Sequence, residues 1–402
     1  LGSFDDDLAR AVIDPDLDVP ELVAGLPLVT AVPSGERSLH ALWRSLLADE
    51  VTPVEVADAR RRAAAAHRAR GRADAAARLF IDAEAWDELG EAIVDALGAA
   101  HPPVPRDVLA EWFSRLPADV RTTPSGRLLA AVVAVEADPE GAAPRLEDAA
   151  AEFRAAGHLT GELACLVQLG QIAWWSESLE RLAALAVRVF QLEAAGCDQA
   201  VPLACLGRAL VFDVQNDSRQ VLTELDRIPP GSLNDVWQGV VSWLRSTTLM
   251  HLGDAHASLA AAEHALAHAG PQHAPLAEGA RLQALWFQGR GAVAAAALPA
   301  LVERMRQAGY RNYTSLAAAQ CCLVHALVGQ GERAAEHLAL ARAAGASPDA
   351  PLVDTDLAIA EAALAVAEGD DAAASAVLTA CLTRQPLGEG HSAAPQQRSL
   401  AL

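Results

Sequence analysis

The chain has 402 residues, of which 52% are apolar and only 4% are aromatic. Alanine, the strongest intrinsic helix former, accounts for about 90 of them, which disfavours an all-β sandwich or barrel built from β-branched and aromatic residues. The formal net charge of −21 disfavours binding of nucleic acid over the surface as a whole.

All 31 basic residues are arginine, because the sequence contains no lysine. This excludes, within the chain, a lysine-bearing phosphate loop and Schiff-base chemistry. The six cysteines form no CxxC pair and predict reduced, buried thiols of a cytoplasmic protein. No apolar run reaches the ~18 residues needed to cross a bilayer. The chain begins at Leu1 with acidic residues following, so we expect a part of a longer protein and no secretory signal.

The first 50 residues differ from the rest of the chain. Residues 5–13 show a short helical pattern, and residues 26–32 predict a strand. A Pro-Ser-Gly-Glu turn at 33–36 leads into a second strand or helix entry at 38–43. A hairpin followed by a helix predicts that residues 1–50 are the C-terminal end of a winged-helix-like domain.

From Thr52 onward the sequence predicts helices. Thr52, Pro53 and Glu55 form a capping box with proline at the first helical position. Four segments place a glycine before an alanine-rich helix start, and each predicts a helical hairpin with glycine in the left-handed position. These segments are residues 71–76, 253–255, 331–335 and 369–373.

The hairpins repeat along the chain. Gly253 and Gly331 are 78 residues apart, and Gly331 and Gly369 are 38 apart. Tetratricopeptide units repeat at about 34 residues and HEAT units at about 40–47. The predicted fold is therefore all-α, a tetratricopeptide-like helical-hairpin solenoid over residues 51–383 after the small winged-helix-like piece. Residues 384–402 predict a linker or the start of a truncated further domain.

Four tryptophans are candidates for a ligand or partner surface. Trp174 and Trp175 end a predicted helix, while Trp237 and Trp243 lie in a segment without alanine at 211–250. Such side chains can grip a peptide or sugar in a helical array, although core packing is their commoner role.

Four arginines of one predicted helix and the turn after it, Arg61, Arg62, Arg68 and Arg72, are candidates for a basic contact patch. They can bind phosphate groups, or form a solvated face that pairs with acidic neighbours, which is the commoner arrangement in so acidic a chain.

Catalytic chemistry has little support in the sequence. His264 and His268 share one helix face four residues apart, and His251, His256 and His273 are nearby in the sequence. No HExxH motif and no cysteine accompanies them, so solvent-facing histidines are the favoured interpretation. No GxSxG motif, nucleotide-binding glycine loop or pair of poised carboxylates is present. We therefore predict no enzyme activity, no metal and no cofactor.

Several short motifs resemble a known family. Residues 26–29 (LPLV) and 38–44 (SLHALWR) are similar to the end of the winged helix in large signal-transducing ATPase regulators. Residues 61–71, 83–87 (AEAWD) and 111–117 (EWFSRLP) resemble the hairpins and the x-W-L-x-x-L-P motif that follow there. The family is that of the maltose-regulator-like, LuxR-type transcriptional activators, including actinobacterial relatives with a bacterial transcriptional activator domain.

This resemblance covers about residues 26–128 and implies a sensor and interaction arm of a transcriptional regulator. Such an arm binds an inducer or a partner protein and couples that event to self-association, without itself binding ATP or DNA. The alternative is a free-standing tetratricopeptide-like scaffold that binds other proteins.

Overall fold

The computed structural model describes residues 3–27, 29–31, 36–40, 42, 45, 50–100, 103–135, 137–175, 178–215, 217–270, 273–344 and 351–384. Most of the predicted turn at 33–36 and the linker beyond residue 384 lie outside this part of the chain. The described chain divides into two compact units, Leu1–Leu169 and Gly170–Leu402. The predicted domain boundaries at residues 50 and 383 stay predictions.

The predicted all-α fold is confirmed: apart from a small sheet and turns, the described residues are helical. The sheet consists of β1 Ser3–Phe4, β2 Val29–Ala31 and β3 Arg37–Leu39. The helices are α1 Asp6–Val12, α2 Val19–Ala24, α3 Pro53–Ala69, α4 Ala73–Asp82, α5 Trp86–Leu97, α6 Arg106–Arg115, α7 Pro124–Ala134, α8 Pro139–Ala155, α9 Leu159–Trp175, α10 Leu179–Ala194, α11 Val201–Val214, α12 Ser218–Asp226, α13 Asp235–His251, α14 Ala255–His268, α15 Ala274–Phe287, α16 Gly291–Gln307, α17 Asn312–Leu327, α18 Gly331–Ala344, α19 Pro351–Ala367 and α20 Asp371–Arg384, with 3₁₀ turns at Val120–Thr122 and Asp198–Ala200.

The sheet has the strand order β1-β3-β2, and both pairs are antiparallel. Ser38 in β3 lies opposite Ser3 on one side and Thr30 on the other. The predicted hairpin between β2 and β3 is present, and β1 adds a third strand that is too short to show in the sequence pattern. The guanidinium of Arg37 pairs with Asp6 of α1 at 2.8 Å and ties the sheet to that helix.

The first unit builds its core from consecutive helices. Thr52 caps α3 through the predicted capping box with Glu55, and α1 packs on α3 through Leu8, Val12 and Ala63. Helices α3 to α8 then pack largely on their neighbours in the chain. Their largest fully buried side chains include Leu89, Ile93, Trp112, Leu128, Leu129 and Leu146.

The second unit contains four successive helical hairpins, α13/α14, α15/α16, α17/α18 and α19/α20. Their first helices begin at residues 235, 274, 312 and 351, a repeat of 38 or 39 residues. A pair of helices cannot bury its apolar face alone, so each hairpin packs against the next one. Buried serines are satisfied by backbone carbonyls within a hairpin, as where Ser246 donates to Ser258 at 2.8 Å.

Glycine ends the first helix of each of these hairpins in the left-handed conformation, where a side chain would be strained. The predicted positions Gly253 and Gly369 have φ of +86° and +81°. The prediction for Gly331 is wrong, because Gly329 takes this conformation at φ +74° and Gly331 begins α18. Gly289, at φ +78°, marks a further hairpin that the sequence pattern did not reveal.

All six cysteines are buried and have free thiols. Within the described part of the chain, no helix combines the length and apolar character needed to cross a bilayer.

Candidate functional site

Four aromatic rings of the second unit contact one another in a row. Trp174 and Trp243 meet edge to face at 5.4 Å between ring centroids, and Trp243 meets Tyr313 at 6.2 Å. Tyr313 in turn meets Tyr310 at 5.6 Å, again edge to face. We call these four residues the aromatic cluster. They are among the few large rigid side chains in a unit otherwise filled by alanine and leucine.

Helices that are distant in the sequence bring the cluster together. Trp174 lies in the last turn of α9, Trp243 in the middle of α13 and Tyr313 in the first turn of α17. The rings therefore meet only because the hairpins pack on one another. Gly239 of α13 lies beside the end of α14, where a Cβ atom would be in ordinary van der Waals contact with the backbone of Ala269 at 3.5 Å.

A small cavity lies beside the cluster. Trp174, Trp243, His273 and Leu276 line its walls, and the lining is almost wholly apolar. The Trp174 side chain is 9% exposed, and its Nε1–H is buried without a hydrogen-bond acceptor. Burial lowers the pKa of His273, which keeps the imidazole neutral near pH 7. The cavity has a volume of about 10 Å³, which is room for about one water molecule, so a ligand or an inserted side chain can enter only if the surrounding side chains move apart.

The other two candidate tryptophans differ in their surroundings. Trp237 is half-buried on α13, and its ring lies 3.7 Å from where a Cβ atom on Gly170 would be. Its Nε1–H is also buried without an acceptor, but the ring does not line the cavity. The side chain of Trp175 lies outside the described residues.

The four candidate arginines of the first unit all face carboxylates. Arg61 pairs with Glu88, Arg68 contacts Asp95 at 2.6 Å and Glu91 at 3.2 Å, Arg62 contacts Asp58 at 3.2 Å, and Arg72 lies 3.9 Å from Glu36. Their positive charge is therefore balanced locally. An anion competing for these arginines would have to displace the carboxylates, and for Arg61 and Arg68 the geometry favours a role in holding α3 against α5.

His264 and His268 lie next to each other on α14, with ring centroids 4.4 Å apart and ring planes tilted by 41°. His264 shares a 2.9 Å hydrogen bond with Ser242, and His268 lies 3.4 Å from Asp235. Among the described residues, no group of three or more His, Cys, Asp or Glu side chains is arranged to hold a metal ion. The absence of a metal therefore stays a prediction.

Two carboxyl groups of the second unit are largely withdrawn from water, although neither residue is fully buried. Burial raises the pKa of Asp213 to about 6 and that of Asp356 to about 7. The Oδ2 atom of Asp356 is buried and has no hydrogen-bond partner. These groups lie on α11 and α19, which, like α13, are first helices of helical hairpins.

A search of solved structures finds a likeness to a signal transduction ATPase with numerous domains that carries a tetratricopeptide repeat sensor, from Pyrococcus horikoshii. The sequence identity is 12%, the TM-score is 0.41, and the match covers 95% of this chain. The chain spans 60% of the length of that protein. No protein-family profile and no curated protein sequence matches the chain. The function is therefore argued below from the side chains of the chain itself.

Trp174 and Trp243 are recognisable as candidates in the sequence, but their aromatic neighbours are not. Tyr310 and Tyr313 are the two tyrosines of the chain, and their proximity in sequence was the only available signal. His273 was noted only as one of several histidines. Its place on the cavity wall depends on where α15 begins, which no local pattern reveals.

Proposed function

We propose that this chain is the sensor and interaction arm of a cytoplasmic transcriptional regulator. In this proposal an inducer or a partner protein binds at the aromatic cluster, and binding is coupled to self-association of the full-length regulator. The proposal includes no catalysis, no bound cofactor and no direct contact with nucleic acid. The resemblance of residues 26–128 to maltose-regulator-like activators supports the regulatory context.

One observation carries the binding role. The Nε1–H of Trp174 is buried without an acceptor, and the Trp174 side chain lines an apolar cavity. A buried donor without a partner costs about 1–3 kcal/mol relative to its hydrated state, and a ligand that supplies an acceptor recovers this free energy. The Trp243 ring contacts Trp174 and lines the same cavity, so the cluster suits a ligand with a flat apolar part and a hydrogen-bond acceptor.

The test begins with a thermal-shift screen of the chain against uncharged and anionic metabolites. Ligands that raise the melting temperature are then titrated by calorimetry against three variants. Trp174→Phe keeps the ring but removes the donor, and Trp243→Ala opens the wall of the cavity. Each should weaken binding about tenfold or more, the effect of losing about 1.4 kcal/mol. Trp112→Phe removes an equally buried and unpartnered donor in the first unit and should leave binding unchanged.

Sedimentation velocity with and without a confirmed ligand tests the coupling to self-association, using the full-length protein. If both cluster variants bind a ligand as tightly as the natural chain does, the binding site lies elsewhere. A ligand that binds at the cluster but leaves the oligomeric state of the full-length protein unchanged would leave a binding scaffold without the proposed coupling.

A further inference from the structure

Large apolar side chains are exposed where the first helix of each hairpin in the second unit ends. Leu252 is the first residue after α13, and Phe287 is the last residue of α15. Leu327 is the last residue of α17, Val328 follows it, and Val366 lies in the last turn of α19. Their exposed fractions range from 42% to 64%. We call these five residues the turn edge.

The turn edge is a repeated feature. Helix α13 packs on α15, and α17 packs on α19, each pair being first helices of consecutive hairpins. First helices of stacked hairpins run in the same direction, so the C-terminal ends of each pair lie on the same side. Leu252 and Phe287 are therefore neighbours along one edge, and so are Leu327, Val328 and Val366.

Turns between helices usually carry polar residues, because their backbone and side chains face water. An exposed leucine or phenylalanine at one turn is ordinary, but the same feature at four consecutive turns is not explained by the packing of the hairpins themselves. Exposed apolar side chains repeated along neighbouring turns in this way are typical of protein interaction sites.

The charges around the turn edge identify the kind of partner. Arg290 and Arg333 are the basic residues within the turn segments 252–254, 287–290, 327–333 and 366–371. The acidic residues there outnumber them and are all exposed: Asp254, Glu332, Glu368, Asp370 and Asp371. A second copy of the chain would bring the same acidic surface and a net charge of −21, so self-docking at this edge is opposed by repulsion. A cationic partner is attracted instead.

We propose that the turn edge docks an amphipathic helix of a partner protein, with a row of large apolar side chains flanked by lysine or arginine. Packed helices lie about 8–10 Å apart, and seven residues of an α-helix span about 10 Å. A partner helix with an apolar side chain every seven residues therefore matches the spacing of neighbouring turns. The turn edge shares no residue with the aromatic cluster, and this docking goes beyond the proposed ligand binding.

The probe for this proposal is a fluorescein-labelled helical peptide of 21 residues, with leucine every seventh residue and lysine on both sides of the leucine row. Fluorescence anisotropy with the full chain should show binding that weakens as salt rises. The same peptide with glutamate in place of lysine should bind at least tenfold more weakly.

Variants of the chain locate the binding. Leu327→Ser combined with Val328→Ser should weaken binding of the lysine peptide at least tenfold. Asp370→Asn combined with Asp371→Asn keeps an N-cap residue on α20 and should weaken binding severalfold while flattening the salt dependence. Val187→Ser removes an equally exposed side chain of α10, away from the turn edge, and should have no effect. Circular dichroism checks that each variant is folded.

Three results would overturn the proposal: no binding of the lysine peptide, equal binding of the lysine and glutamate peptides, or equal binding by the Leu327/Val328 variant. Sedimentation velocity can also contradict the proposal. If the natural chain forms dimers and Leu327→Ser makes them dissociate, a second copy of the chain occupies the turn edge. Trp243→Ala should bind the peptide normally, so failure of this proposal and failure of the ligand site are distinguishable.

Discussion

Trp112 in the first unit and Trp174 in the second share an unusual property, a buried Nε1–H without an acceptor, but their surroundings differ. Trp112 is 1% exposed and belongs to the buried core of the first unit. Trp174 borders a cavity and contacts the ring of Trp243 in the aromatic cluster. A buried indole N–H without an acceptor therefore indicates a binding site only where an acceptor has room to reach it.

The largest expected loss of stability follows from replacing Trp112. Trp112→Ala should lower the free energy of unfolding of the first unit by about 3–5 kcal/mol, because it removes a fully buried ring from a closely packed core. Trp243→Ala, at a half-buried ring beside a cavity, should cost the second unit clearly less. Hydrogen exchange of α5–α7 and α13–α15 measures the two units separately, since one global transition need not describe both.

Trp112→Phe is the matched control, because it keeps most of the apolar contacts and removes only the N–H group. It should cost far less than the alanine variant. If the two variants cost the same, Trp112 has a hydrogen-bond partner that matters, and the contrast between the two tryptophans fails.

The next effect concerns the unpaired carboxyl of the second unit. Burial raises the pKa of Asp356 to about 7, so between pH 4 and 7 the folded chain binds more protons than the unfolded chain. The free energy of unfolding should therefore fall as the pH rises through this window. Asp356→Asn should raise it by about 1–3 kcal/mol at pH 8, because a buried charge is removed, and change it little at pH 4. Urea unfolding across this pH range measures the effect.

Glu303→Gln serves as the control for Asp356. Hydrogen bonds from Arg306 and Gln307 lower the pKa of the exposed Glu303 carboxyl to about 2, so its neutralisation should give no gain at pH 8. A loss of stability on Asp356→Asn at pH 8 would mean that a nearby group stabilises the charged carboxylate, and the carboxyl would then resemble the paired charges of the first unit.

The smallest effects are expected among the arginines of α3. Arg68→Gln breaks contacts to Asp95 and Glu91 that are partly buried, and should cost about 1 kcal/mol. Arg62→Gln breaks a contact to Asp58 that is about half exposed and lies within one helix, and should cost at most about 0.5 kcal/mol. Urea unfolding at low and high salt checks both values. An increase in phosphate or nucleic-acid affinity on Glu91→Gln would instead indicate a basic contact patch.

Local rules predicted the helical part of the fold well. The capping box at Thr52 and the glycine turns at Gly71, Gly253 and Gly369 follow from backbone hydrogen bonding and the φ preference of glycine, which involve only a few adjacent residues. The hairpin at Gly289 was not predicted because residues 290–294 contain no acidic residue, whereas an acidic residue follows Gly71, Gly253 and Gly369 within three positions.

The site was less predictable than the fold. The contacts of Trp243 with Trp174 and with Tyr313 join residues about 70 positions apart, so they depend on the angles at which successive hairpins stack. These angles result from many small packing differences among alanine-rich faces, which hydrophobic periodicity does not encode. The sequence therefore identifies aromatic candidates but not which of them meet.

All six thiols are buried, and five of them lie in the second unit. The rate at which a reagent alkylates them therefore reports how often the surrounding helices unfold locally. Burial raises the pKa of Cys321 to about 12 and that of Cys322 to about 11, so neither forms appreciable thiolate while folded. Alkylation at these positions can proceed only through transient exposure of α17. Comparing this alkylation rate with that of Cys381 in α20 would show whether the two neighbouring hairpins unfold locally together or independently.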